Sequence, residues 1–245
     1  YTFSDGEKYD GQWVMDHQHG RGTFHFKNGN SYTGLWYKDV QQGHGVMNYF
    51  NGDKYDGDWQ RDKRSGLGKY TYQNGAYYDG QWKDDQKDGQ GTFYWADGTT
   101  YSGQWVKNKR MGKGTNKYSD GDVYTGQWLD DVPHGKGIYR FGNGDTYEGQ
   151  YVNGKRTGEG IYRTNNGDLY KGSFLDGCKS GYGEMHFRNG DVYTGNWKDD
   201  LQNGKGKLVG KDGSLLEGTF INGLPNGEFV IRESNGARFK GEYKD

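Results

Sequence analysis

The sequence predicts an all-β fold: an elongated, single-layer antiparallel meander, a solenoid of β-hairpin repeats. Three observations carry this. The skeleton of Tyr78-Asp79-Gly80-Gln81-Trp82, continued by Gly89, Gly91, Phe93 and Asp97-Gly98, recurs every 23 residues without insertion or deletion. Its tyrosine slot is filled at Tyr9, Tyr32, Tyr55, Tyr78, Tyr101, Tyr124, Tyr147, Tyr170, Tyr193, Leu216 and Phe239, and a fixed period of this length is the mark of a repeat architecture. Asn-Gly or Asp-Gly dipeptides fall at the same period, and only 2 prolines in the chain interrupt strands.

Each unit holds two runs of alternating residues divided by turns, the pattern of two strands per repeat. The first turn falls at Lys38-Asp39, Arg61-Asp62, Lys107-Asn108, Asn153-Gly154, Asp176-Gly177 and Asn222-Gly223, where the second residue tolerates positive φ. A two-residue loop there sets Tyr9 opposite Gly22 and Gly11 opposite Gly20. The second turn runs from Asn28-Gly29 in the first copy to Asn235-Gly236 in the last, the strongest short-range hairpin signal. A two-residue second loop would put Tyr32 on the face opposite Phe24 and flip the aromatic set at every repeat. A three-residue loop preserves the face, with a type I turn through Lys27-Asn28 and Gly29 as a left-handed bulge. This register pairs Phe24 with Tyr32, Tyr70 with Tyr78, and Phe93 with Tyr101.

On one face glycine alternates with rings, as in Tyr55-Gly57-Trp59 and Gly66-Gly68-Tyr70-Tyr72, so each glycine is expected to seat an aromatic ring. The opposite face carries polar columns such as Gln12, Asp58, Gln81, Gln104, Gln127 and Gln150. About 21 strands spaced about 4.8 Å apart give a sheet about 100 Å long. Ten repeats occupy residues 9–238, with partial repeats at 1–8 and 239–245, all in one repeat domain spanning 1–245.

Composition narrows the function classes. Only 30% of the 245 residues are hydrophobic while 17% are aromatic, so apolar surface sits mostly on rings. With 32 basic and 33 acidic residues and a net charge of −1, no overall positive field recommends nucleic acid. The single cysteine, Cys178, excludes an internal disulfide framework and fits a reducing, cytosolic setting. The longest apolar run, Phe93 to Ala96, is far below the ~20 residues of a membrane-spanning helix. Tyr1 aligns with the Phe24 slot, so the chain enters in mid-repeat and a targeting segment outside it is an open expectation.

Few residues invite chemistry. The six histidines scatter over different slots without nucleophilic or metal-ligand spacing, so neither catalysis nor a cofactor or metal is expected. Cys178 reads as a tolerated surface thiol. The tryptophan slot first holds the sheet together, and Trp59, Trp82, Trp105 and Trp128 line an aromatic groove together with Trp95, the largest ring in its column. Basic pairs follow the first turn at Lys63-Arg64, Lys109-Arg110 and Lys155-Arg156. They are either solvated turn residues or a basic edge that docks an acidic protein surface or phosphoinositide headgroups. The C-terminal copies depart from the pattern, with Leu216 for tyrosine and Phe229 for glycine. An exposed last strand must be covered, so Phe220, Phe229 and Tyr243 are expected to supply a homotypic or partner interface, giving a homodimer through the C-terminal repeats.

Tyr-x-Gly-x-Trp followed by Gly-x-Gly at this spacing resembles the MORN (membrane occupation and recognition nexus) repeat family, across essentially the whole chain. Its turn aspartates, such as Asp39, Asp62 and Asp85, stand where the family usually has glycine. The resemblance implies a non-enzymatic protein-interaction scaffold in a eukaryotic cytoskeletal assembly, at a cilium or flagellum axoneme or a cell-cortex or basal complex, with a partner's peptide or helix in the aromatic groove. The alternative it implies is a phosphoinositide-binding membrane-association module. It places the protein in the cytoplasm, associated with the cytoskeleton.

Overall fold

The computed structural model describes residues 1–243; the last two residues of the trailing partial repeat, 244–245, lie outside the described residues. The described chain is all strand and turn, and it divides into two compact units, 1–119 and 120–245. The first contains ten strands, from β1 (Lys8–Val14), β2 (His17–His25) and β3 (Ser31–Tyr37) to β10 (Lys109–Lys117). The second contains eleven, from β11 (Val123–Leu129) to β21 (Arg238–Tyr243). Within each unit every strand pairs antiparallel with its neighbours in sequence, a meander of hairpins.

The turns form as their residues dictate. Lys38 and Asp39 lie at φ 48° and 67°, the doubly left-handed geometry of a type I′ turn, whose twist matches that of paired strands. At the second turn Gly29 lies at φ +85° and its amide donates to the Phe26 carbonyl at 3.0 Å. Phe24 faces Tyr32 across β2 and β3, as the three-residue loop requires. Tyr70 faces Tyr78 and Phe93 faces Tyr101 in the same way.

The register inside the first hairpin differs from expectation. Tyr9 faces Phe24 rather than Gly22, and Gly11 faces Gly22 rather than Gly20; only Gln12 to Val14 keep the spacing set by the turn. A bulge absorbs two residues at Gly20-Arg21, so the aromatic face is kept despite the shift. Gly20 takes φ +63°, and a Cβ there would lie 1.8 Å from Gln12 Oε1, which accepts the Arg21 amide at 3.2 Å. The same arrangement recurs at Gly112 with Gln104 and at Gly135 with Gln127. The polar column therefore has a structural role, since its amide oxygen satisfies the N–H that the bulge releases from the ladder.

The core is one ring thick. Each tyrosine lies flat over the two glycines of its own hairpin, so that a Cβ on Gly91 would sit 2.2 Å from the Tyr78 hydroxyl oxygen. Its hydroxyl donates to the carbonyl of Gln81, three residues on, at 2.9 Å. Trp82 meets it edge-on at 5.2 Å and Trp105 of the next repeat at 5.4 Å. The Trp82 indole in turn donates to the Gly68 carbonyl of the preceding repeat at 2.9 Å. Tyr32, Tyr55, Tyr78, Tyr101, Tyr124, Tyr147 and Tyr193 are all 0% exposed.

At the C-terminal end this packing is inverted by a compensating exchange. Leu216 is too short to cover the glycine pair, and the second glycine is replaced by Phe229, whose ring now lies over Gly218. Phe229 packs edge-on against Phe220 at 5.4 Å and Tyr243 at 5.2 Å. The ring is supplied from the opposite strand, and the seat stays filled.

Two outcomes follow from this core. Gly91→Ala should lower stability by about 3 kcal/mol in urea denaturation, because the added methyl meets a ring that cannot move aside. Gly75→Ala, with nothing within 4 Å but φ +86°, should cost only about 1 kcal/mol of backbone strain. Burial also pushes the Tyr147 and Tyr193 phenols up to about 12 from the ordinary 10.0. A raised phenol pKa favours the neutral, folded form, so this stabilisation is complete below pH 10 and is lost as pH climbs toward 12. Denaturant midpoints measured across that window should fall steadily, with phenolate absorbance of the buried set appearing together with unfolding.

Candidate functional site

Successive residues of a strand point to opposite faces, and this separates each basic pair. Lys63, Lys109 and Lys155 are exposed on the polar face. Lys63 lies 3.9 Å from Asp84 and Lys155 lies 3.2 Å from Asp176. Arg64, Arg110 and Arg156 are half-buried on the aromatic face. Arg64 stacks over Trp82 at 4.6 Å, Tyr70 at 5.2 Å and Tyr55 at 5.7 Å, and its Nε donates to Asp85 Oδ1 at 3.0 Å. Arg110 lies over Tyr101 and Trp95, and Arg156 over Tyr162, Tyr147 and Phe174. The expected basic edge is therefore not one patch, and its arginines lie over rings rather than beside turns. Lys87 and Lys179 occupy the same seat, over Trp105 at 4.6 Å and Trp197 at 4.8 Å. Burial lowers the pKa of Lys179.

The groove tryptophans are equally divided by depth. Trp59, Trp82 and Trp105 in the first unit are 3 to 6% exposed, and Trp128 in the second is 4% exposed. They are walls of the core. Trp95 is half-buried, 4.5 Å from the Phe93 ring, and offers surface. In the same column as Phe93, Asn116 stands where other copies have rings or aliphatic side chains; it is 1% exposed, and its Nδ2 has no hydrogen-bond partner among the described residues.

The C-terminal residues expected to form an interface are placed differently. Phe220 is 2% and Phe229 is 1% exposed, because the ring exchange with Leu216 turns both inward. Neither can supply contact area to a second chain as folded. Tyr243, at 41% exposed, remains on the surface with Phe239 at 46%.

The polar face of the second unit carries a feature that the residue patterns did not point to. A trough of about 880 Å³ crosses its strands, with Gly137, Gly149, Gly160, Gly172 and Gly183 as its floor. One wall is built from Ile138, Glu148, Ile161, Lys171 and Glu184, the other from Lys136, Gln150, Glu159, Ser173 and Tyr182. Tyr182 is 64% exposed. Ser173 is too short to reach the bulge amide as the glutamines do and instead donates to Glu159 at 2.6 Å. Gln150 makes no side-chain hydrogen bond among the described residues. The visible signal was Ser173 breaking the glutamine column, together with Ile138 and Ile161 in a slot that holds threonine at Thr23, Thr92 and Thr115.

No reactive centre is assembled among the described residues. His17 pairs with Asp39 at 2.5 Å, His44 with Asp56 at 3.4 Å and His186 with Glu184, each at a separate place. No group of three or more metal-ligating side chains comes together among them. Burial and the Asp200 carboxylate raise the Cys178 thiol pKa, the opposite of activation.

Replacing the two members of a basic pair should therefore have unequal effects. Arg64→Ser removes a stacked, ion-paired side chain and should cost about 1–2 kcal/mol of stability in chemical denaturation. Lys63→Ser, on the solvated face, should stay within about 0.5 kcal/mol of the parent.

Comparison with known proteins bears on the repeat itself. No protein of curated function matches the chain at a significant level. Among solved structures it is similar to the TCP10 domain of Danio rerio CPAP in complex with a STIL peptide, at 13% identity and TM-score 0.46 over 96% of this chain and 100% of that one. It is also similar to the Drosophila melanogaster SAS-4 TCP domain in complex with a proline-rich motif of Ana2, at 18% identity and TM-score 0.37 over 73% and 85%. At these identities and TM-scores neither likeness carries a functional argument. The MORN repeat profile, by contrast, matches ten consecutive segments, nine of them running without a gap from 9–31 to 193–215 and the tenth at 217–228. The chain belongs to the MORN repeat family.

Proposed function

We propose that the protein is a non-enzymatic interaction scaffold that holds a polypeptide segment of a partner. The observation that carries this is the trough of the second unit. It is open along its length, floored by bare glycine backbone and walled by isoleucines alternating with charged groups. That combination suits an extended chain, which can lie close against the bare floor while its side chains meet the apolar and charged walls. It converges on no point where a small substrate would react. Membership of the MORN family supports a setting in a eukaryotic cytoskeletal assembly, of the axonemal, cortical or basal kind.

Phosphoinositide headgroups are the weaker alternative. The arginines that would recognise phosphate are occupied with rings, and Lys63 and Lys155 face aspartates. A homodimer through Phe220 and Phe229 would require both rings to leave the core.

A photo-cross-linking amino acid placed at Gln150 or Ser173 should capture one polypeptide in cells, and Ile161→Lys should abolish the adduct at either position. The same probe at Gln81, on the polar face of the first unit, should not capture it. Equal capture at Gln81, or an adduct that persists in Ile161→Lys, would remove the trough from consideration. Vesicle binding that survives Ile161→Lys and weakens with salt would instead favour the lipid alternative.

A further inference from the structure

The repeat displays its own ligand. In the third copy the seat beneath Trp82 is filled by Arg64, whose backbone N–H and Nε both donate to Asp85 Oδ1 at 3.0 Å while Nη2 donates to the Asp85 carbonyl at 3.0 Å. One repeat earlier the equivalent residue is the neutral Gln41, the equivalent ring is Trp59 and the equivalent carboxylate is Asp62. The Gln41 main-chain N–H donates to Asp62 Oδ1 at 2.7 Å, and Asp62 has no ion pair among the described residues. The ring slot that Tyr70 fills is occupied here by Met47, and the result is a pocket of about 350 Å³. Phe26, Tyr49 and Trp59 line it together with Asp62, Asp85 and Gln41. Gln41 is 5% exposed, lines this pocket and makes no side-chain hydrogen bond among the described residues. The Asp62 charge also raises the Tyr32 phenol, after burial, so its field reaches the aromatic seat.

Other copies with a neutral residue in this slot lack one of the parts. Gln18 faces Asp39, but that carboxylate is held by His17 at 2.5 Å. Gln202 faces the Asn222-Gly223 turn, which offers no carboxylate, and Pro133 and Pro225 bring no side-chain amide. Only at Gln41 do a neutral residue, an unclaimed carboxylate and an open aromatic pocket coincide among the described residues.

We propose that this pocket is a seat for the guanidinium of an arginine side chain on a partner polypeptide, occupying over Trp59 the place that Arg64 occupies over Trp82. A planar guanidinium satisfies the Asp62 carboxylate and main-chain carbonyl together while stacking on the indole, which a point-charge ammonium does less well. The Gln41 side-chain amide adds a partner for the peptide that carries it. The seat rests on the scaffold reading only in assigning the guanidinium to a polypeptide; it belongs to the first unit, and the trough to the second.

The test uses the full chain and the peptide acetyl-Gly-Arg-Gly-amide, read by the indole N–H resonance of Trp59, with the citrulline peptide as neutral isostere. A single arginine should bind with half-saturation on the order of millimolar, and the citrulline peptide at least tenfold more weakly. Gln41→Arg, which fills the seat from within as Arg64 does, should leave the protein folded with an unchanged or higher melting temperature and abolish the response. Asp62→Asn should weaken binding at least tenfold. An equal shift with citrulline, or a response retained in Gln41→Arg, overturns the proposal. Ile161→Lys separates the two sites: an unchanged Trp59 response supports the seat whatever becomes of the trough, and a lost response overturns it as an independent site.

Discussion

The structure depends on one contact, a tyrosine ring lying over a pair of glycines. A single-layer sheet has no second layer to bury its apolar face, and a glycine-rich strand alone is weak because it lacks side chains to pack. The ring answers both needs. It hides backbone that glycine leaves bare, and the glycines admit it at a distance no other residue allows: a Cβ on Gly22, Gly45, Gly68, Gly91 or Gly114 would lie 2.2 to 2.3 Å from the hydroxyl. Rings in the tryptophan slot then meet the tyrosine edge-on from its own repeat and from the next, as Trp82 and Trp105 do for Tyr78 and Tyr151 and Phe174 for Tyr147. The exchange at Leu216 and Phe229 shows that the requirement is a ring in that volume rather than a tyrosine at that position.

Much of this was legible in the residues. The 23-residue period, the turn dipeptides and the need to keep rings on one face were enough to place Phe24 opposite Tyr32 and to assign three residues to the second loop. The bulge at Gly20-Arg21 was not foreseen, because its positive φ belongs to a glycine that also fits an ordinary strand. Its second mark, the Gln12 side chain that accepts the Arg21 amide, looks in the residues like any other member of a polar column. Local patterning fixes which face a residue takes, but a two-residue shift leaves every face unchanged and so leaves no trace in the alternation.

The same alternation explains why adjacent basic residues were misplaced as a group. Lys63 and Arg64 are neighbours in sequence and therefore opposites in the sheet. A charged pair on a strand is a patch only when its members are two apart. Arg64 is drawn to the aromatic face because the Asp85 carboxylate and the Trp82 face converge there, so its charge is satisfied while its stem covers apolar surface, and Arg156 meets the Gly177 carbonyl and the Phe174 ring in the same way. The arginines that looked available to a partner are thus part of the fold, while the lysines beside them stay in solvent.

A repeat protein whose core is this regular can vary only where the regular contacts are not needed. Slots for the tyrosine, the glycine pair and the tryptophan are constrained on all sides by their neighbours. The slot of Gln41 holds Gln, Arg, Lys or Pro in different copies and that of Ser173 holds Gln, Leu, Asp, Asn or Thr. A departure there costs the fold little, because each repeat is stabilised chiefly by the copies beside it, and it opens a local concavity in an otherwise continuous surface. Both candidate sites sit at such departures: Gln41 with Met47 on the aromatic face, Ser173 with Ile161 on the polar one. Function in this architecture is written as the difference between one repeat and the next, and the copy that obeys the pattern shows what the departing copy has left room for.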